Sequence, residues 1–167
     1  MKIGITGDTH GSHQALRQVL HAVPPVEYWF HTGDHSQDGR FLVTESHLPL
    51  LAVCGNTDPS AGKANVDEFI TLAGQRIWLT HGHRYLHGNQ VAELAWWGRK
   101  LEADIVVFGH THVPLVQWFG DVLLVNPGSP ILPRSEMGPT FAVLTVKEGE
   151  RPEADLYKLP VPHQASF

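Results

Sequence analysis

The chain is predicted to be an α/β protein in which two β-sheets pack face to face with helices outside, and three observations predict it. Five apolar, β-branched runs each end abruptly in a polar cluster rich in Gly, Asp and His. Two segments carry apolar residues at helical spacing between those runs. After Gly109 the pattern changes to short strands separated by Gly, Pro and charged turns.

In chain order, residues 2–6 form a strand that leads to Gly7-Asp8-Thr9-His10. Ser12 is placed to cap a helix over residues 14–21, with Ala15, Leu16, Val19 and Leu20 on its apolar face and Pro24-Pro25 to stop it. A second strand, residues 26–30, leads to Gly33-Asp34-His35. Residues 36–48 are polar and mixed and are read as a loop. The run 50–54 leads to Gly55-Asn56-Thr57-Asp58, and the run 76–80 leads to His81-Gly82-His83. Asn89 is placed to cap a helix through Val91, Leu94, Ala95, Trp97 and Leu101. The fifth run, residues 104–108, leads to Gly109-His110-Thr111-His112. Residues 114–118, 122–125, 140–146 and 154–159 read as the later strands. One domain over residues 1–160 is expected, followed by a short frayed tail, 161–167. Trp29, Trp78 and Trp118 read as core, as does at least one of Trp96 and Trp97.

Composition narrows the function. A chain of 167 residues with 42% hydrophobic content suits one globular core. The net charge is −5 and no basic run is present, so a stable nucleic-acid complex is not expected. The single Cys excludes an internal disulfide and fits a reducing, cytoplasmic setting. No signal peptide and no membrane association are expected. A homodimer or homotetramer is allowed for. The unusual feature is His, at 12 residues. Of these, His10, His35, His81, His83, His110 and His112 fall at the strand-end clusters.

Those clusters point to metal chemistry. In α/β sheets ligands gather at the carboxyl ends of strands. Asp, His and Asn are hard and borderline ligands, and their number suggests two ions. In an extended segment residues i and i+2 face the same way, so Asp8 and His10 can share one ion. His110 and His112 can likewise both face the centre, one per metal. Asp34 has two oxygens with which to bridge, Asn56 offers a neutral carbonyl oxygen, and His81 adds an imidazole nitrogen. Two divalent ions bring four positive charges; two carboxylates and a bridging hydroxide leave the centre positive and attractive to a phosphate. Two ions about 4 Å apart acidify a shared water and clamp an in-line displacement. Imidazole-rich ligation disfavours magnesium and calcium and leaves manganese, iron, nickel, cobalt or zinc, among which availability decides; manganese is the one expected to serve.

Taken in order, D-x-H, G-D, G-N, H and G-H-x-H resemble the calcineurin-like metallophosphoesterase superfamily. The resemblance is closest to its small single-domain prokaryotic phosphodiesterases, which also carry T-H-G-H and N-P-G-S, here residues 80–83 and 126–129. The resemblance implies a four-layer α-β-β-α sandwich of two mixed sheets. It implies that Asp8, His10, Asp34 and His112 hold one metal, and Asp34, Asn56, His81 and His110 the other. It implies hydrolysis of a small phosphate ester, foremost a phosphodiester, by a metal-bridging hydroxide; Asp34, Asn56, Thr57 and His110 are the residues expected to carry the catalysis. A phosphomonoesterase is the alternative, as is a non-catalytic scaffold of the same fold. Many members have His where this chain has Thr57, which donates a hydrogen bond but supplies no proton near neutral pH.

Other residues have plainer readings. His35 and His83 read as supporting or loop residues, and whether they touch substrate is open. His31 is a buried histidine satisfied by hydrogen bonds, or one that supports the site. Asp58 orients the Asn56 loop or caps a turn. Asp38 reads as solvated and Cys54 as a small core residue. His13, His21, His47, His87 and His163 read as surface residues.

Overall fold

The computed structural model describes residues 1–59, 64–88 and 90–160. Residues 2–6 form β1, followed by α1 (His13–Ala22), β2 (Tyr28–His31), a 3-10 turn (Ser36–Asp38), α2 (Gly39–Ser46) and β3 (Leu50–Ala52). A hairpin of β4 (Asp67–Leu72) and β5 (Gln75–Thr80) comes next, then α3 (Val91–Lys100) and β6 (Ile105–Val107). The chain ends in β7 (Leu115–Phe119), β8 (Val122–Asn126), β9 (Thr140–Thr145) and β10 (Glu153–Lys158). One sheet has the order β10-β9-β1-β2-β3 and the other β4-β5-β6-β8-β7, five strands each. Both are mixed: β1, β2 and β3 run parallel, as do β5, β6 and β8, while β9 is antiparallel to β1 and β10, and β4 and β7 are antiparallel to β5 and β8.

Strand alternation builds the layers. Ile77, Leu79, Ile105, Val107, Leu123 and Val125 turn inward and meet Ile3, Ile5, Phe30 and Val53 of the other sheet. The intervening Trp78, Val106 and Leu124 turn outward and pack under α3 through Leu94 and Ala95. On the opposite side Trp29, Phe141 and Val143 pack under Leu16 and Val19 of α1 and Leu42 of α2. Because helices cover both outer faces, the central strands are buried on both sides and read as continuous apolar runs. The face-to-face sheets with helices outside are therefore as expected.

Ser12 caps α1 by accepting the Ala15 N–H at 3.2 Å. Asn89, the expected cap of α3, lies outside the described residues; the cap position falls on Gln90, which makes no side-chain cap bond. The tail 161–167 also lies outside the described residues.

Four expectations are corrected. Residues 36–48 are mostly helical, because Gly39 and Leu42 face the core although the surrounding residues are polar. β4 adds a strand to the expected set; it is set by a two-residue turn, Ala73-Gly74, with both φ positive (49° and 77°), as the twist of a tight hairpin requires. Neither Trp96 nor Trp97 is core: they are 47% and 37% exposed, since α3 buries Leu94, Ala95 and Gly98 instead. Trp118 is only partly buried, with Arg151 over its ring, whereas Trp29 and Trp78 are fully buried. No helix among the described residues is long and apolar enough to cross a membrane.

β2 ends on a buried histidine. His31 Nδ1 accepts the Gly33 N–H at 3.2 Å, so the ring proton sits on Nε2 and donates to Thr9 Oγ1 at 3.1 Å. Burial pushes the His31 pKa down to about 4 despite nearby carboxylates. The unfolded chain protonates this ring below its ordinary pKa of about 6.5, whereas the folded chain does so only near 4. Stability from this residue is therefore complete at neutral pH and is lost as pH falls through that window, by about 3 kcal/mol. Urea unfolding of metal-free protein at pH 7 and pH 4 should show that extra loss in the natural chain and not in His31→Gln. Equal losses in the two proteins would contradict it.

Candidate metal centre

Five loops at the carboxyl ends of β1, β2, β3, β5 and β6 meet at one end of the two sheets. Their backbone is unusual. Asp8, His10, Asp34, His35, His110 and His112 all have positive φ, between 46° and 71°. The loops after β1, β2 and β6 thus turn through left-handed residues and are not extended strand continuations. Asp8 with His10, and His110 with His112, do face the same centre, but turn geometry brings them there rather than strand alternation. Such conformations cost of order 1–3 kcal/mol each and persist only where surroundings enforce them.

The surroundings are hydrogen bonds and close glycines. The Asp8 N–H donates to Gly33 O at 2.9 Å, linking the first two loops. The His110 N–H donates to Asp8 Oδ2 at 3.0 Å, linking the first to the last. A Cβ on Gly109 would lie 2.5 Å from Thr32 Oγ1 and 2.7 Å from Asp8 Oδ2, and one on Gly55 would collide with Asp34 Oδ1. Those two positions accept only glycine because the Asp34 carboxylate, and at Gly109 Thr32 with the Asp8 carboxylate, occupy the space of a side chain. The Asn126–Ser129 turn is a brace. Asn126 Nδ2 donates to Gly109 O at 2.9 Å and to Thr111 Oγ1 at 3.1 Å. Ser129 Oγ donates to Asp8 O at 2.8 Å.

Two sets of donor atoms result. Asp8, His10, Asp34 and His112 each present one ligand atom, all within 4.8 Å of one another. His112 Nδ1 donates to Leu132 O at 2.8 Å, so Nε2 carries a lone pair; it faces Asp8 Oδ1 and His10 Nε2, each at 3.4 Å. Asp8 Oδ1 is buried and has no hydrogen-bond partner among the described residues. The second set repeats the arrangement. His81 Nδ1 donates to Thr32 O at 2.8 Å, leaving the Nε2 lone pair 3.0 Å from Asn56 Oδ1 and 3.4 Å from Asp34 Oδ1. His110 Nδ1 reaches the same Asn56 oxygen at 3.0 Å. In both sets a carbonyl holds the far nitrogen of an imidazole and aims the near one inward, as in metal sites. Lone pairs and carboxylate oxygens so arranged repel unless a proton or a cation lies among them. The donor atoms therefore fit divalent metal ions.

Charge follows the same pattern. Burial works to raise the Asp34 pKa, but neighbouring His81 and the Thr57 N–H, 3.0 Å from Oδ1, outweigh it and hold the carboxyl below its usual range. The Asp8 carboxylate raises the pKa of His112 against its burial. Burial lowers that of His110, aided by His81.

All seven expected ligands thus reach the centre, and Thr57 stands beside it, exposed, with its N–H on Asp34. His83 is half-buried, with its ring 5.3 Å from that of His81 and 6.2 Å from that of His110. His35 is exposed, its ring 6.2 Å from that of His10. Asp58 does orient the Asn56 loop: Oδ2 accepts the Gly55 N–H and Oδ1 the Ser36 N–H, both at 2.7 Å. Cys54 is half-buried and donates to Ala64 O. Asp38 is not solvated. It is 4% exposed, and Oδ2 accepts from Thr9 Oγ1 at 2.6 Å and from the Gly11 N–H at 2.9 Å. The run Gln37-Asp38-Gly39 gives no sequence signal for this, because the burial comes from a loop distant in sequence. His13 is exposed as expected, yet stacks on Phe41 and lies 3.6 Å from Asp38 Oδ1.

A family model described as the calcineurin-like phosphoesterase superfamily domain matches residues 1–149. A probable metallophosphoesterase of Methanothermobacter thermautotrophicus is 32% identical over 166 residues, covering 97% of this chain and 95% of that protein. The phosphodiesterase YfcE of Escherichia coli K12 is 28% identical, covering 86% and 87%. Among solved structures, a predicted phosphoesterase from Streptococcus pneumoniae superposes with a TM-score of 0.76 at 27% identity, covering 97% and 93%. With two mixed five-stranded sheets, an inward-facing cluster of Asp and His and this match over most of its length, the chain belongs to the calcineurin-like phosphoesterase superfamily and is a metal-dependent phosphoesterase.

Proposed function

We propose that the protein hydrolyses small phosphodiesters with two divalent transition-metal ions held side by side. The observation that carries this reading is the repeat of one arrangement: two inward imidazole lone pairs, at His112 and His81, each face a carboxylate oxygen, with Asp34 in both groups. Asp8, His10, Asp34 and His112 would hold one ion, and Asp34, Asn56, His81 and His110 the other. Bound there, the ions would acidify water and withdraw charge from a phosphoryl group lying across them. Imidazole nitrogens dominate the donors, which favours a first-row transition ion over magnesium, and manganese is the ion we expect to serve.

The chain's own residues do the rest. Only two carboxylates, Asp8 and Asp34, oppose the metal charge, so the centre stays attractive to an anionic ester. The Thr57 N–H steadies Asp34, and the residue is exposed beside the centre. Thr57 can donate a hydrogen bond but holds no proton to give near neutral pH. Esters with acidic alcohols are therefore the better substrates. The phosphodiesterase name of YfcE supports a diester substrate. The filled ligand set supports turnover over a scaffold role.

Manganese-dependent hydrolysis of bis(p-nitrophenyl) phosphate against p-nitrophenyl phosphate tests the reading. Faster diester hydrolysis is expected; faster monoester hydrolysis would make the protein a phosphomonoesterase, and no hydrolysis by metal-loaded protein would leave the scaffold. At saturating manganese Asp34→Asn should lower the rate at least tenfold more than His112→Ala. Asp34 carries one of two negative ligand charges and belongs to both sets, whereas His112 is neutral and serves one. Full rescue of Asp34→Asn by metal, without rescue of His112→Ala, would contradict the bridging role.

A further inference from the structure

We infer that Asp38 is a positioning residue for the first ligand loop: through Thr9 and Gly11 it holds Asp8 and His10 in the left-handed turn that aims both at the ion. The inference rests on the proposed reading of Asp8 and His10 as ligands. Thr9 lies between those two residues and is fully buried. Its hydroxyl is the middle of a directed chain. The Gly33 N–H donates to His31 Nδ1 at 3.2 Å, His31 Nε2–H donates to Thr9 Oγ1 at 3.1 Å, and Thr9 O–H donates to Asp38 Oδ2 at 2.6 Å. Each member has one available role. The amide can only donate, which places the imidazole proton on Nε2, and the hydroxyl, having accepted that proton, donates onward to the carboxylate.

Asp38 closes the chain from the other side. The same Oδ2 accepts the Gly11 N–H at 2.9 Å, so one oxygen grips the residue before His10 and the residue after it. Asp8 and His10, at φ 49° and 46°, sit in a backbone region that L residues leave when released. Asp38 belongs to the loop that follows Asp34, and its own N–H donates to His35 O at 2.9 Å. The carboxylate therefore fixes the first ligand loop to the second and sets the separation of Asp8 and His10 from Asp34. A carboxylate only 4% exposed is costly unless strong hydrogen bonds compensate it. Its nearest basic side chain, His13 at 3.6 Å from Oδ1, is outside the chain of bonds to Thr9.

The test is manganese binding to metal-stripped protein, read as free Mn²⁺ by electron paramagnetic resonance, beside the melting temperature of the stripped protein. Removing partners that orient metal ligands weakens binding roughly 10–100-fold. Asp38→Ala and Thr9→Val should each weaken one class of bound Mn²⁺ by at least tenfold. Asp38→Asn and Thr9→Ser, which keep an acceptor and a hydroxyl, should recover most of the affinity. Asp38→Ala with Thr9→Val should be little worse than the worse single variant, since both cut one chain. A lower melting temperature with unchanged Mn²⁺ affinity in Asp38→Ala or Thr9→Val would overturn the inference and leave a packing role. Thr9→Val decides the matter if Asp38→Ala does not fold. His10→Ala is the separate control: unchanged Mn²⁺ affinity there would remove the ligand reading itself.

Discussion

Electrostatic crowding at one end of the two sheets is the constraint on which the rest of the structure depends. Two carboxylates, an amide oxygen and inward imidazole lone pairs converge there: the ligand atoms of Asp8, His10, Asp34 and His112 lie within 4.8 Å of one another, and His81 Nε2 lies 3.0 Å from Asn56 Oδ1 and 3.4 Å from Asp34 Oδ1. Such a grouping disperses unless the backbone beneath it is rigid. Parallel strands buried on both faces provide that rigidity, and their carboxyl ends deliver the loops to one place. The Asn126–Ser129 turn, the Asp58 carboxylate and the chain from Gly33 to Asp38 then tie the loops to one another. Left-handed backbone at six residues of the centre is the local cost of this arrangement.

Much of this was legible in the sequence, for a physical reason. Strands buried between two layers must be apolar throughout, so β1, β2, β5 and β6 stand out as unbroken runs. The residues just past each run have to be polar and sharply turned. The positions of Asp8, His10, Asp34, Asn56, His81, His110 and His112 could therefore be read from their place after a run. Their backbone could not. A pair two residues apart converges in an extended segment and also in a left-handed turn, and spacing alone does not separate the two.

The features that escaped reading depend on contacts distant in sequence. α2 exposes half of its residues and owes its helix to the burial of Gly39 and Leu42 against the first sheet. Asp38 resembles any loop carboxylate until the loop after β1 closes over it. Trp96 and Trp97 carry strong apolar character, but helix phase places Leu94, Ala95 and Gly98 on the sheet and leaves the indoles outside. Composition favours burial; the angular position on the helix decides it.

The central claim is that the crowded donor atoms form two cation sites, not one. Equilibrium dialysis of the stripped protein against manganese, followed by elemental analysis, measures this without reference to any substrate. The account predicts two ions per chain at saturation, falling toward one when His81 and Asn56 are both replaced by Ala. Saturation at one ion per chain in the natural protein, with excess manganese present, would contradict it.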